Sequence, residues 1–325
     1  MVRIALALGL LTVALASAAE PGDSTQRPGS RPRRCGAPLD YQVRLDRLGF
    51  SPGEIDGAFG RNTFLAIRAF QEASGAPATG RPNCETWREL SARDDFPVLA
   101  DYTITPEDVA GPFVERIPDD LLEQATLEAL SFASPLEALA ENFHASPALL
   151  KRLNPNASFA AGDTVRVPRV LQDGGTTTAS LAPTTDGPSD FVVEVSRATS
   201  SLRVLSADGQ VVFFAPATIG SEHDPLPLGD WRVTEVDWNP VFRYNPDLFW
   251  DADPSHAKAT IQPGPNGPVG IVWVGLDIEH YGIHGTPEPA SVGHGQSHGC
   301  VRLTNWDAAR LARMVRRDTP VRFRE

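Results

Sequence analysis

The residues able to do chemistry are concentrated in one stretch of this chain. It reads Tyr281-Gly282-Ile283-His284-Gly285-Thr286 and then Gly293-His294-Gly295-Gln296-Ser297-His298-Gly299-Cys300-Val301-Arg302. One thiol stands among three histidines and five glycines, with Cys300 sixteen positions after His284. A free cysteine has a pKa of about 8.5 and reacts as the thiolate, so an imidazole that accepts its proton raises its reactivity near neutral pH. Glycines let the backbone approach a substrate and can aim N–H groups at a developing oxyanion. The pattern predicts nucleophilic chemistry by Cys300, with a histidine as general base.

The same residue types can ligate zinc, since His280, His284, His294, His298 and Cys300 all could. Two pairs, His280/His284 and His294/His298, have the spacing that shares one face of a helix. Gly282 and Gly285 surround the first pair, and Gly293, Gly295 and Gly299 the second. Such glycine density argues against helix, so no metal is expected. Zinc content and sensitivity to a thiol reagent separate the two readings. His294 reads as a loop histidine, and His280, His256, His223 and His144 lack a motif and read as ordinary.

The elements that must position this stretch are mostly strands. Phe191–Val195, Leu202–Leu205, Val211–Phe214, Trp231–Val236 and Ile271–Val274 carry β-favouring residues, with Asp208-Gly209 as a two-residue hairpin signal. A mostly antiparallel sandwich or barrel-like sheet follows. One helix is predicted near the end, where Thr304 and Asp307 suit a capping box and Leu311, Ala312 and Val315 share a face. Arg310, Arg313, Arg316 and Arg317 read as its solvated side.

Upstream, residues 20–34 and 172–190 are rich in Pro, Gly, Ser and Thr and read as tethers. Between them, Tyr41, Leu45 and Leu48, then Phe64, Ile67 and Phe70, then Trp87 and Leu90 predict three short helices. Cys35 and Cys84 flank this unit and would close a loop of about fifty residues, worth roughly 3 to 4 kcal/mol if bonded. Pairing is expected; two free buried thiols are the alternative. A second unit begins at Asp101–Thr105, passes through an acidic insertion, and continues with two helices opened by Ser134-Pro135 and Ser146-Pro147. It closes on the alternating Thr164–Pro168. Arg3, the apolar run Ile4–Leu15 and Ala16-Ser17-Ala18 predict a cleaved export signal. The chain has 325 residues, 29 Lys plus Arg against 41 Asp plus Glu, and a net charge of -12, which opposes binding to a phosphate backbone. Export into an oxidising compartment leaves Cys300 as the odd thiol of three, either reactive or deeply buried.

The C-terminal segment resembles the YkuD-type L,D-transpeptidases, on His284-Gly285 and Ser297-His298-Gly299-Cys300-Val301-Arg302. The resemblance implies a β catalytic domain with a helix on it and Cys300 as nucleophile. The nucleophile would attack the carbonyl of the third residue, commonly meso-diaminopimelate, of a tetrapeptide stem and expel D-alanine. It implies His284 as base and then acid, the Gly285 carbonyl as its orienting partner, and the N–H groups of Cys300 and Gly299 as the oxyanion hole. Ser297, His298 and Arg302 would steady the site or hold a substrate carboxylate; Ser297 and Arg302 are equally readable as structural. Carbapenems should acylate Cys300. The first unit resembles a peptidoglycan-binding domain, on Leu48-Gly49-Phe50, Asp56-Gly57-Ala58-Phe59-Gly60, Thr63, Ala69-Phe70-Gln71, Thr79-Gly80 and Thr86-Trp87. The second is similar to a LysM module, a βααβ unit, on Leu153-Asn154-Pro155 and Gly162-Asp163-Thr164-Val165-Arg166-Val167-Pro168. It departs from that pattern by about thirty extra residues after its first strand.

The organisation expected is multidomain: signal peptide 1–18, three-helix peptidoglycan-binding domain 36–92, LysM-like module with insertion 100–170, linker 171–189 and catalytic domain 190–325. No cofactor or metal is implied. The partner is peptidoglycan, through its stem peptides and glycan, with a protein amine as a further candidate acceptor; neither nucleic acid nor membrane insertion of the mature chain is expected. The location expected is the periplasm, at the wall. Trimming by water, attachment of a protein to the wall, and a non-catalytic wall-binding protein are the competing outcomes.

Overall fold

The first three helices, α1 (Pro38–Arg47), α2 (Arg61–Ala73) and α3 (Cys84–Arg93), close around Tyr41, Leu45, Ile67, Phe70 and Leu90. These apolar positions recur three and four residues apart, which puts them on one face of each helix. The computed structural model describes residues 35–170 and 191–325; the expected signal peptide and linker lie outside the described residues. Among the described cysteines, Cys35 and Cys84 are joined in a disulfide and Cys300 is free. The polar motif residues of this unit face inward. Gln71 Nε2 donates to Thr86 Oγ1 at 2.8 Å while its Oε1 accepts from the Gly80 N–H at 2.8 Å. Gln42 similarly spans Asp56 Oδ1 and the Gly57 N–H, both at 2.8 Å. They hold turns together, which is a structural use of the motif.

The next unit pairs β1 (Leu99–Thr103) antiparallel with β2 (Thr164–Pro168), from Leu99 opposite Pro168 to Thr103 opposite Thr164. Between them lie the single-turn α4 (Leu121–Gln124), then α5 (Pro135–Asn142) and α6 (Pro147–Leu153). Ser134 and Ser146 each cap their helix, accepting from the N–H of Glu137 and of Leu149, with proline in the first turn. Val43 and Ile55 of the first unit join Leu139, Leu149, Leu150, Val165 and Val167 in one core. Ile55 also trades backbone hydrogen bonds with His144 and Ser146, so the two units are packed together and not strung on a tether.

The C-terminal part contains β3 (Val192–Ser196), β4 (Ser201–Leu205), β5 (Val211–Pro216), β6 (Thr218–Ile219), β7 (Gly229–Trp238), β8 (Phe242–Tyr244), β9 (Ala259–Ile261), β10 (Val272–Leu276), β11 (Gly282–His284), β12 (Val301–Arg302), α7 (Asn305–Met314) and β13 (Pro320–Arg324). Nine strands form a sheet in the order β5-β4-β3-β13-β7-β10-β11-β12-β6. Its pairings are antiparallel except β13 with β3 and β11 with β12. The outermost strands, β5 and β6, are consecutive stretches of one segment, so the chain passes directly from one end of the strand order to the other. Val193, Val204, Val233, Val274, Ile283 and Phe323 fill the interior with Leu311 of α7. The separate β8–β9 hairpin rises from the excursion between β7 and β10.

Three sequence expectations are corrected. Asp208 and Gly209 do not form a two-residue hairpin: the paired residues Leu205 and Val211 are joined by residues 206–210, closed by the Ser206 N–H donating to Gln210 O at 2.9 Å. The arginine side of α7 is not uniformly solvated. Arg310 grips Asp46 of α1 through two bonds of 2.9 and 2.8 Å, and Arg313 lies over the Trp238 ring at 5.6 Å. Only Arg316 and Arg317 of the four are exposed. The outer face of α7 is covered by the upstream units, which helical periodicity does not encode. His144 is likewise not an ordinary surface residue. It stacks on Trp306 and bonds Asp46 through Nδ1 at 3.1 Å; burial depresses its pKa, so this is a hydrogen bond from neutral imidazole.

Candidate active site

β11 and β12 run parallel, with Ile283 beside Val301 and His284 beside Arg302. One step back, that register brings Cys300, the last residue of the loop before β12, alongside Gly282. The Gly282 N–H donates to the Cys300 thiol, and Sγ–H points at the His280 carbonyl, 3.5 Å away. Burial pushes the Cys300 pKa up, opposed by the Gly282 N–H and by the Arg302 charge. The resting group is therefore a thiol, not a preformed thiolate.

His284 is 4% exposed, and its Nδ1–H donates to the Gly285 carbonyl at 2.6 Å. That bond fixes the tautomer and leaves Nε2 as the basic nitrogen. Burial, reinforced by the neighbouring Arg302 charge, depresses the imidazole pKa to about 3. Trp273, opposite His284 across the β10–β11 ladder, stacks on the ring at 5.5 Å between centroids. Trp273 was not singled out by sequence; its place in a strand gave no sign that it would cover His284.

The turn before Cys300 is tightly specified. The Ser297 hydroxyl donates to the Cys300 carbonyl at 2.6 Å, and its N–H donates to Gly220 O at 3.0 Å, so Ser297 closes the turn and is buried. Gly299 has φ +97°, and a Cβ there would lie 2.7 Å from Cε1 of Tyr281. Only glycine fits both the backbone and the ring. His298 bonds Asp251 Oδ1 through Nε2 at 2.8 Å and sits against the Phe249 ring. Arg302 is partly buried beside Cys300 and His284, facing Glu288, with its Nε lacking a hydrogen-bond partner among the described residues. His294 is exposed on the loop, and His223 stacks on Trp250. Among the described residues, no group of three or more His, Cys, Asp or Glu side chains is arranged to hold a metal ion.

Asn305, at the start of α7, is a positioning group that sequence reasoning missed. Its Oδ1 accepts from the Ile271 N–H at 3.2 Å and its Nδ2 donates to Pro265 O at 3.1 Å. A Cβ on Gly285 would lie 2.1 Å from that Oδ1, so the side chain is wedged against the peptide whose carbonyl orients His284. Asn305 is in turn hydrogen-bonded to Glu141 of α5. A cleft of about 450 Å³ lies at this junction, lined by Glu54, Glu137, Glu141, Glu288 and Asn305; neither Cys300 nor His284 lines it.

Residues 190–322 match the YkuD family, described as the L,D-transpeptidase catalytic domain, and residues 38–90 match the “Putative peptidoglycan binding domain”. “Putative L,D-transpeptidase YqjB” of Bacillus subtilis (strain 168) is 31% identical over 134 residues, which is 39% of this chain and 68% of that protein. The chain belongs to the L,D-transpeptidase family. A second member, “Putative L,D-transpeptidase YkuD” of the same organism, is 29% identical over 188 residues, 57% of this chain and 91% of the relative. Among solved structures, an L,D-transpeptidase from Mycobacterium smegmatis aligns over 42% of this chain and 59% of its own at 23% identity, with a TM-score of 0.35. The family's catalytic domain accounts for the β-rich C-terminal part, and the helical unit before it is of the peptidoglycan-binding type. Both domain types are concerned with the cell wall, which implies an extracellular or periplasmic location. Among the described residues, no helix is long and apolar enough to cross a membrane.

Proposed function

We propose that this L,D-transpeptidase works through Cys300 as a covalent nucleophile on peptidoglycan stem peptides. The observation that carries the reading is the parallel pairing of β11 with β12, which brings the His284 and Cys300 segments together while Gly285 holds the imidazole in the tautomer with basic Nε2. In acylation, Sγ attacks the carbonyl of the third stem residue, meso-diaminopimelate, as the thiol proton passes to His284 Nε2. The C–N bond to D-alanine breaks, the proton goes to the leaving amine, and a thioester to Cys300 remains. The backbone N–H groups of Cys300 and Gly299 receive the oxyanion, an assignment supported by the left-handed turn at Gly299. An acceptor amine then attacks the thioester, His284 takes its proton, and the thiol is regenerated with a new crosslink.

Ser297 and His298 hold the nucleophile turn, and Arg302 supplies positive charge beside the reacting groups. The order β1, α5, α6, β2 supports a LysM-like reading of the second unit, with glycan as its ligand. Export to the periplasm is part of the same proposal, as are the domain limits 36–92, 100–170 and 190–325. The test is incubation of the full chain and Cys300→Ala with purified disaccharide tetrapeptide, read by mass spectrometry. The wild type should give a dimer lacking one D-alanine, and Cys300→Ala should give none while still sedimenting with peptidoglycan. Normal turnover by Cys300→Ala overturns the assignment; a Cys300-dependent tripeptide without dimer makes water the acceptor.

A further inference from the structure

The extra residues that set the second unit apart in the sequence have a definite place in the fold. Ile117, Leu122 and Leu130 of this insertion pack with Tyr244, Phe249 and Ile261 in a small core of their own, apart from the core of either unit. Leu130 is fully buried there. Its N–H donates to Pro263 O at 3.1 Å, and its carbonyl accepts from the Asn266 N–H at 2.9 Å, so the insertion is laced to the root of the β8–β9 excursion. At the other end, Asp120 Oδ2 lies 3.1 Å from His256 Nε2, while His256 Nδ1 meets the Tyr244 hydroxyl at 3.1 Å. The excursion thus has an apolar anchor, a backbone anchor and a polar anchor, all supplied by a segment more than a hundred residues upstream of it in the chain.

The far side of the same excursion reaches the nucleophile turn. Asp251 bonds His298, and Phe249, one edge of the small core, packs against the His298 ring at 5.1 Å between centroids. His298 is two residues before Cys300.

We propose that the inserted segment, residues 111–132, positions the nucleophile: Leu130 and Asp120 fix the β8–β9 excursion, whose Asp251 and Phe249 fix His298 and with it the turn carrying Cys300. The proposal rests on Cys300 as the nucleophile. Leu130, Asp120 and Asp251 are positioning residues, since none touches the reacting atoms. The insertion is then a working part of the enzyme and not an elongated loop of a glycan-binding module.

The test uses the full chain with Leu130→Ala, Asp251→Ala and the pair combined. Three readouts are taken: amide exchange across residues 242–261, kcat and KM for the tetrapeptide donor, and alkylation of Cys300 by iodoacetamide. Leu130→Ala should speed exchange in the excursion about tenfold or more while leaving β7, β10 and β13 protected. It should lower kcat about tenfold, as loss of oriented reacting groups does, and leave alkylation by the small reagent within about twofold. Asp251→Ala should lower kcat by a similar factor, about tenfold, with KM within about twofold and exchange unchanged, because it removes the bond to His298 after the anchor. The combined variant should be no slower than the worse single one, since both act through one contact. A freed excursion with unchanged kcat overturns the proposal, as does full kcat in Asp251→Ala. Should Leu130→Ala unfold, Asp120→Asn carries the first arm: it keeps the cap on α4, removes the carboxylate from His256, and should lower kcat about twofold or more. Alkylation of Cys300 raised to the rate of the urea-unfolded chain, together with lost turnover, would mean a general collapse and also overturns it. Failure of the nucleophile assignment itself shows separately, as donor turnover by Cys300→Ala.

Discussion

Glu141 offers the sharpest quantitative test of how the upstream units meet the catalytic sheet. Its carboxyl group sits at the junction against Asn305, and burial pushes its pKa from 4.5 up to about 8, with Glu137, Glu54 and Asp307 adding repulsion. A carboxyl whose folded pKa lies above its unfolded value favours folding fully at pH below the unfolded value and loses that contribution as pH rises through the folded value. Each tenfold preference is worth about 1.4 kcal/mol. At pH 7 the unfolded side chain has been ionised over about two and a half decades while the folded one still holds its proton, a cost of about 3 kcal/mol. At pH 5 the same reasoning gives about 1 kcal/mol.

Glu141→Gln removes this slope, because the amide is neutral in both states and can still bond Asn305. Its stability relative to wild type should therefore grow by about 2 kcal/mol between pH 5 and pH 7, whatever constant offset the amide brings. Glu54 and Asp307, each pushed up to about 7, titrate over the same window, but their contributions are common to both proteins and cancel to first order in the difference. Urea unfolding of the two full chains at the two pH values measures it. Parallel curves would mean that Glu141 ionises freely in the folded state, and the reading of a buried neutral carboxyl bridging α5 and α7 would fall.

Gly299→Ala should reduce carbapenem acylation of Cys300 by about a hundredfold or more, because both the positive φ and the Tyr281 ring exclude a Cβ; a rate within threefold of wild type by intact-protein mass spectrometry refutes this. Opening Cys35–Cys84, measured in a Cys300→Ala background by the double serine variant, should lower unfolding stability by about 4 kcal/mol for a separation of 49 residues, and an unchanged Tm would refute it. With the His284 pKa depressed to about 3, falling pH protonates the base only in strong acid, so donor acylation should show no inflection near pH 6.5; a drop of about tenfold between pH 7 and pH 5.5 would mean an ordinary imidazole.

What the sequence showed and what it withheld divide along chain separation. The strands at Val192–Ser196 and Ser201–Leu205 were legible because alternation is local, and Ser134-Pro135 and Ser146-Pro147 were legible because a cap and its helix are neighbours. Cys300 and His284 stood out because a thiol, imidazoles and glycines share one short stretch. Arg310 did not, because its partner Asp46 is 264 positions away. Asn305 looked like an ordinary first residue of a helix; its contact with Gly285 arises only when α7 packs across β10 and β11. The insertion read as a departure from the LysM pattern because its partners, Tyr244 and Ile261, belong to a hairpin far downstream that had no signal of its own.

These long-range contacts converge on the catalytic loop from every side that is not solvent. From α2, Asn62 Nδ2 donates to Val292 O at 2.8 Å and Arg61 donates to Gly293 O at 3.0 Å, holding the loop between His284 and Cys300. From α5, Glu141 backs Asn305 and so the Gly285 peptide. From the excursion between β7 and β10, Asp251 bonds His298, and Phe249, at the edge of the small core, packs on its ring. Even the free edge of β5 is taken up by the first unit, where Ser51 N–H donates to Phe214 O at 2.8 Å and Phe214 N–H donates to Gly49 O at 2.9 Å. The Ser51 hydroxyl also donates to Oδ2 of the buried Asp307 at 2.7 Å. An enzyme whose wall-binding parts were mere anchors would need only a flexible joint between them and the sheet. Here the upstream units supply backbone pairing to β5, a buried hydrogen bond to Asp307, and side-chain hydrogen bonds from Arg61 and Asn62 to the loop between His284 and Cys300. The described upstream units and the catalytic domain are therefore packed as one continuous body, and a perturbation of either side is expected to be felt at the contacts they share.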